Sequence, residues 1–403
     1  MGLNDTASAN RVHIGFFGLR NAGKSSVVNA VTGQELAVVS DVAGTTTDPV
    51  QKAMEILPLG PVVIIDTPGI DDVGELGAKR VGRARRTLMR SDVCVLVVDA
   101  SEGEHDEDRA LRALFEERHL PYVVVYNKCD LTSDRSLASD GVLYVSALTG
   151  EGIRALRERL AALAPKEDPD HRLLKGLVMP GDTCVLVCPI DESAPKSRII
   201  YPQQMAIRDC LDSGSVALVC RETELERTLE ALCEPPALVV TDSQAFRVVK
   251  GLVPERVPLT SFSILMARYK GFLETAVAGV AAVESLTDGD VVLMAEGCTH
   301  HRQCNDIGTV KIPAWIRAHT GASLVFETSS GRDFPEDLTR YALVVHCGGC
   351  MITEREVTYR MRCAEDQGVP FTNYGLVIAQ MTGALERSVR VFPDVHERLV
   401  ERA

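Results

Sequence analysis

Short apolar, β-branched runs recur along the chain, and each breaks off into glycine or polar residues. Between Arg11 and about Pro165 they alternate with helix-like stretches such as Ser26–Val31, the order of a parallel sheet with crossover helices. Strands are predicted at Val12–Phe17, Val62–Asp66, Val93–Asp99, Tyr122–Asn127 and Leu143–Ser146, each apolar enough to be buried on both faces. Residues 165–171, Pro-Lys-Glu-Asp-Pro-Asp-His, carry proline and charge without periodicity and read as a linker. A second α/β unit follows, with strands expected at Thr183–Cys188, Val216–Cys220 and Ala237–Thr241 and a helical stretch at Glu222–Cys233. Few ionisable groups stand at its strand ends, so docking or dimerisation is its expected role. A third unit opens near Ser261 with helical periodicity over Ile264–Leu273 and Thr275–Leu286. Strands are then predicted at Asp290–Ala295, Ser323–Phe326, Tyr341–His346 and Pro370–Asn373. The expected division is 1–166, 172–260 and 261–403, all α/β with mainly parallel sheets.

Composition narrows the setting. A hydrophobic fraction of 45% and a charged fraction of 25% match soluble globular chains and exclude fibrous or disordered classes. No apolar run is long enough to span a bilayer, and Met1 to Asn10 lacks a basic start and an apolar stretch, so a cytoplasmic protein without membrane contact is expected. Twelve scattered cysteines without a leader point to reduced thiols rather than a disulfide framework. A net charge of −13 disfavours nucleic acid and anionic lipid as partners.

Gly18-Leu-Arg-Asn-Ala-Gly-Lys-Ser25 fits the phosphate-loop pattern directly after a strand and before a helix, where that motif belongs. Its backbone N–H groups, from Gly18 through Asn21, Ala22, Gly23 and on to Ser26, suit phosphate oxygens; Lys24 reaches the outer phosphates and Ser25 suits Mg2+. Asp66-Thr-Pro-Gly69 ends a strand, so Asp66 can hold Mg2+ through water and the Gly69 N–H can sense a γ-phosphate. Asn127-Lys128-Cys-Asp130 ends another, and Asp130 can accept from guanine N1–H and its amino group, which selects GTP over ATP. Ser146-Ala147-Leu148 offers backbone to the guanine carbonyl. Together these elements resemble the GTPase G-domain over roughly the first 160 residues.

Within that resemblance the switch region is similar to the TrmE/Era-like branch, which usually carries arginine where Thr47 stands here. That branch places the Mg2+-sensing switch threonine at Thr46, with Thr45 and Thr47 as alternatives. It implies that Asn21 helps hold K+ beside the phosphates, where the cation neutralises developing charge and stimulates hydrolysis; the alternative is an asparagine that only shapes the loop. Ile70 stands where Ras-like enzymes carry a water-orienting glutamine, so slow turnover is expected. Lys79, Arg80, Arg83, Arg85, Arg86 and Arg90 form a basic stretch that reads first as a solvated helix face and second as a nucleotide-dependent partner contact.

The C-terminal third contains Glu296-Gly-Cys298-Thr-His300 and, after 45 residues, His346-Cys347-Gly-Gly-Cys350. Both follow predicted strands, and parallel sheets gather strand ends on one edge, so the clusters can share a site. Three thiolates with a C-x-x-C pair suit either a structural zinc with one histidine or an iron–sulfur cluster. Cys94, Cys184 and Cys188 read as buried thiols, and Cys129 as the filler of a variable slot between Lys128 and Asp130, none with a ligand role.

The whole pattern, a G-domain followed by C-x-H and H-C-x-x-C, resembles the HydF family of FeFe-hydrogenase maturation GTPases across nearly the full chain. The resemblance implies a P-loop GTPase domain followed by two further α/β domains, one for dimerisation and one for a 4Fe–4S cluster. It implies Cys298, Cys347 and Cys350 as cluster ligands, with His300, His346 or Glu296, and more remotely Cys304, at the fourth iron. Implied partners are the radical-SAM maturases, the hydrogenase apoprotein that receives a di-iron precursor, and a second copy of the chain. The rival is a TrmE/Era-like GTPase with a structural zinc site acting on tRNA or ribosomes. Against RNA, residues 351–403 carry seven arginines, no lysine and eight acidic residues.

Overall fold

The computed structural model describes residues 8–34, 50–67, 87–132, 135, 141–166, 168, 170–190, 199–297, 306–331 and 333–402. The chain divides into two compact units, Met1–Glu167 and Asp168–Ala403.

The first unit is built on six strands: β1 (Val12–Phe17), β2 (Val50–Ile56), β3 (Gly60–Asp66), β4 (Val93–Asp99), β5 (Tyr122–Asn127) and β6 (Val142–Tyr144), ordered β2-β3-β1-β4-β5-β6. All neighbours are parallel except β2, which pairs antiparallel with β3 in the register Val50↔Asp66 to Ile56↔Gly60. Strands β1, β4 and β5 fall on their predicted residues because each is an apolar run with both faces covered; every residue of β4 is buried. Strand β2 was not expected, since Val-Gln-Lys-Ala-Met-Glu-Ile is a half-polar sequence that only an edge position accommodates. The strand expected at Leu143–Ser146 ends at Tyr144, and Ser146 lies in the following loop.

The second unit holds two four-stranded parallel sheets. One contains β7 (Thr183–Val187), β8 (Val216–Cys220), β9 (Leu238–Thr241) and β10 (Leu259–Ser261), ordered β10-β9-β7-β8. The other contains β11 (Val291–Glu296), β12 (Val325–Ser330), β13 (Leu343–His346) and β14 (Phe371–Asn373), ordered β12-β11-β13-β14. One apolar core runs through both sheets, from Leu173 to Val395. The buried Arg387 adds to the join by donating to the carbonyls of Val253 (2.8 Å) and Pro254 (2.7 Å). The stretch expected as one helix at Glu222–Cys233 is a single-turn 3₁₀ segment and the short helix Leu225–Glu230. The helical periodicity from 264 to 286 is realised as helices Phe262–Tyr269 and Leu273–Val280, divided at Gly271, whose φ of 74° breaks the first. Cys94, Cys129, Cys184 and Cys188 are all buried. Among the described residues no helix is long and apolar enough to cross a membrane.

Candidate nucleotide and sulfur sites

In the first unit the carboxyl ends of β1, β3, β4 and β5 bring the predicted nucleotide residues to one edge. Gly18 (φ 137°) starts a loop tight enough that a Cβ there would stand 2.2 Å from the Val97 carbonyl oxygen. Gly23 (φ 84°) caps the helix Lys24–Thr32, and a Cβ on it would meet Asn127 Nδ2 at 2.3 Å. Asn21 also adopts a left-handed φ of 63°. The buried Lys24 donates to the carbonyls of Gly18 (3.0 Å) and Leu19 (2.6 Å), which hold its ammonium at the loop.

Ser25 Oγ donates to Asp66 Oδ2 at 2.8 Å. Burial raises the Asp66 carboxyl above its usual value, with the Ser25 bond and the Lys24 charge opposing. Its other oxygen, Oδ1, is buried without a hydrogen-bond partner among the described residues. A hydroxyl and a half-satisfied carboxylate side by side fit a Mg2+ ion and its water.

At the base-recognition end, Asn127 is a bridge: Nδ2 donates to the Ala22 carbonyl (3.0 Å) while Oδ1 accepts from the Ala147 N–H (3.1 Å). One side chain therefore ties the phosphate loop to the Ser146-Ala147 loop. Lys128 (φ 63°) reaches Asp99 at 2.5 Å. Burial raises the Asp99 carboxyl, but the bonds from Lys128 and Ser101 outweigh that and hold it below its ordinary value. Asp99 was not anticipated; its signal was a carboxylate ending a fully apolar strand. Asp130 is exposed on the 3₁₀ turn Cys129–Leu131, and Ser146 is buried and accepts from the Thr149 N–H at 3.1 Å. Thr45, Thr46, Thr47, Gly69, Ile70 and the basic stretch from Lys79 to Arg86 lie outside the described residues.

In the second unit, β11 and β13 are adjacent and parallel, with Ala295 opposite His346. The segments that follow them meet at Cys347. Its Sγ accepts two backbone N–H bonds, from Gly297 at 3.0 Å and from Gly349 at 3.4 Å. Burial pushes the Cys347 thiol up, opposed by those two amides and the Arg360 charge. Burial and the neighbouring Cys347 push Cys350 up to about 12, with Lys270 opposing. Two sulfurs ringed by amides and a buried cation suit a soft metal whose binding displaces the thiol protons. Cys298, His300, His301 and Cys304 lie outside the described residues, and among the described ones no group of three His, Cys, Asp or Glu is arranged to hold a metal ion.

His346 is fully buried at the end of β13. Its Nδ1 lies 2.6 Å from the Cys347 carbonyl and its Nε2 3.2 Å from Arg360 Nη1. Burial, then the Arg360 charge, lower its pKa to about 3, so the ring is neutral. Glu296, the other predicted ligand here, ends β11. Beside Cys350 a cavity of about 250 Å³ opens between the two sheets, lined in part by Ser243, Phe262, Met266 and Tyr374.

Nucleotide loops at the carboxyl edge of a mainly parallel sheet define the first unit as a P-loop GTPase domain. Residues 13–128 match the family model described as 50S ribosome-binding GTPase. The second unit carries two further matches: residues 173–271 to the hydrogen maturase F dimerization domain and residues 274–391 to the hydrogen maturase F tetramerization domain. The chain therefore belongs to the hydrogen maturase F family. Among characterised relatives, GTPase Der of Kosmotoga olearia is 32% identical over 48% of this chain and 48% of its own length. The tRNA modification GTPase MnmE of Laribacter hongkongensis is 41% identical over 37% of this chain and 34% of its own. The chain thus spans half or less of the length of these relatives. A crystal structure of Era with MgGDPNP and a segment of 16S ribosomal RNA aligns over 52% of this chain and 91% of that one, at 20% identity and a TM-score of 0.35.

Proposed function

We propose that this protein hydrolyses GTP and serves as a scaffold in FeFe-hydrogenase maturation, holding a 4Fe–4S cluster on Cys298, Cys347 and Cys350 and passing a di-iron precursor to the hydrogenase apoprotein. In the first unit Ser25 and Asp66 hold Mg2+, which would neutralise charge on the transferring phosphoryl group. Lys24 and the phosphate-loop amides bind the outer phosphates, Asn127 locks the base loop to the phosphate loop, and Asp130 reads guanine. Thr46 senses the Mg2+ ion, the Gly69 N–H supplies the γ-phosphate contact, and Asn21 holds K+. In the second unit, residues 172–260 serve self-association and residues 261–403 hold the cluster; the dimerization-domain match supports the first assignment, and the tetramerization-domain match over residues 274–391 adds self-association to the second.

One observation carries the cluster reading: the Gly297 amide donates to Cys347 Sγ at 3.0 Å, fifty residues apart in sequence, and Cys298 is the next residue in the chain. N–H bonds to a thiolate sulfur are a recurrent device for holding and tuning iron–sulfur clusters. With both ring nitrogens of His346 engaged, the replaceable iron corner falls to His300 or Glu296. Radical-SAM maturases supply the precursor, and nucleotide state sets the affinity for partners. The likeness to MnmE, a tRNA modification GTPase, covers little more than a third of the chain.

The test is anaerobic reconstitution of the full chain with iron and sulfide, followed by electron paramagnetic resonance of the reduced protein. Cys298→Ala, Cys347→Ala or Cys350→Ala should each abolish the cubane signal, whereas His300→Ala or Glu296→Gln should only perturb it. A colourless parent protein that binds zinc instead would refute the proposal.

A further inference from the structure

Arg360 lies in the helix Glu354–Asp366 with its side chain 1% exposed. A guanidinium has five N–H donors and accepts nothing. Here every donor is used: Nε and Nη2 on Glu356 Oε1 (2.9 and 2.8 Å), Nη2 on the Gly331 carbonyl (2.5 Å), and Nη1 on the Glu296 carbonyl (3.2 Å) and on His346 Nε2 (3.2 Å). Those acceptors sit at the end of β11, just after β12, at the end of β13 and on the helix, so one cation ties together the edge from which the cysteine loops leave. The Glu296 carbonyl that it holds also accepts from the Gly331 N–H at 3.0 Å.

Because the guanidinium can only donate, His346 Nε2 must be the acceptor. Its proton is then on Nδ1, which donates to the Cys347 carbonyl at 2.6 Å. The same cation thus reaches both sides of the sulfur: through Glu296 to Gly297, whose amide meets Cys347 Sγ, and through His346 to the backbone of Cys347 itself. We propose that Arg360 is the positioning residue of the sulfur site, holding the two cysteine-bearing strand ends in register, and that His346 is its relay rather than a metal ligand. This rests on the cluster reading above for its purpose, but not for its geometry.

The experiment has three arms on the full chain. In the metal-free protein, mass spectrometry follows alkylation of each cysteine by iodoacetamide. Arg360→Gln and Arg360→Lys should speed reaction at Cys347 several-fold, because the Gly297 amide is no longer held against it, while Cys94 in the first unit reacts as before. Unchanged reactivity at Cys347 overturns the proposal whether or not a cluster binds. Next, iron loss to a chelator is timed after anaerobic reconstitution. Both Arg360 variants should lose iron several-fold faster, and His346→Gln, which keeps an acceptor for Nη1, should retain the parent's resonance g-values. Altered g-values in His346→Gln with parent-like Arg360 variants would make His346 a ligand and end the proposal. Finally, nitrogen NMR of the histidine-labelled parent needs no substitution. It should show His346 protonated on Nδ1 alone, and an Nε2-protonated ring would refute the relay. If the parent takes up no iron and sulfide, the cluster reading fails while the first and third arms still decide the role of Arg360.

Discussion

Replacing Asn127 by alanine should destabilise the first unit selectively, and the size of the loss follows from two hydrogen bonds. The side chain satisfies the Ala22 carbonyl at 3.0 Å and the Ala147 N–H at 3.1 Å. Ala22 is 4% exposed, so its carbonyl would stay largely dry, whereas Ala147 is half-buried and water can partly replace its bond. An unpaired buried polar group costs about 1–3 kcal/mol, and with Ala147 near the low end the sum is about 2–4 kcal/mol. For a unit of this size that lowers the melting midpoint by about 4–16 °C. Calorimetry of the full chain measures it, since the transition that GDP and Mg2+ move upward reports the nucleotide-binding unit. A midpoint shift below about 2 °C in that transition would show that Asn127 does not bridge the two loops.

Gly23→Ala places a Cβ 2.3 Å from Asn127 Nδ2 at a φ of 84°, so titration with a fluorescent GDP analogue should show affinity weakened at least about tenfold, equivalent to 1.4 kcal/mol; undiminished binding would mean the loop yields without loosening the bridge. Asp66 keeps its proton to higher pH in the native state than in the unfolded chain, so without Mg2+ its contribution to stability falls as pH rises through the region just above the ordinary aspartate value. Guanidinium melts in chelator across that range should show a shallower fall for Asp66→Asn, and parallel curves would count against the assignment. Hydrolysis should run faster in potassium than in sodium chloride, and equal rates would remove the role given to Asn21.

The strands that the sequence placed to the residue, β1, β4 and β5, are those in which burial on both faces leaves a continuous apolar run. Where that condition lapses the pattern is silent: β2 is polar on its exposed edge, and β10, Leu259–Ser261, is too short to show a period. The phosphate loop, Asp66 and the Asn127 to Asp130 segment were legible because each is a contiguous motif whose chemistry requires specific residue types at fixed spacing.

Tertiary structure alone decided the partners of those residues. Asp99 binds Lys128 across neighbouring strand ends, and Gly297 meets Cys347 across fifty residues, because strand order rather than sequence separation sets what is adjacent. The clearest instance is His346. Beside two cysteines its side chain reads as a ligand, yet Arg360, on a helix fourteen residues later, occupies its Nε2. Local pattern specifies which chemistry a residue offers; only the packing of distant segments settles which group takes up that offer.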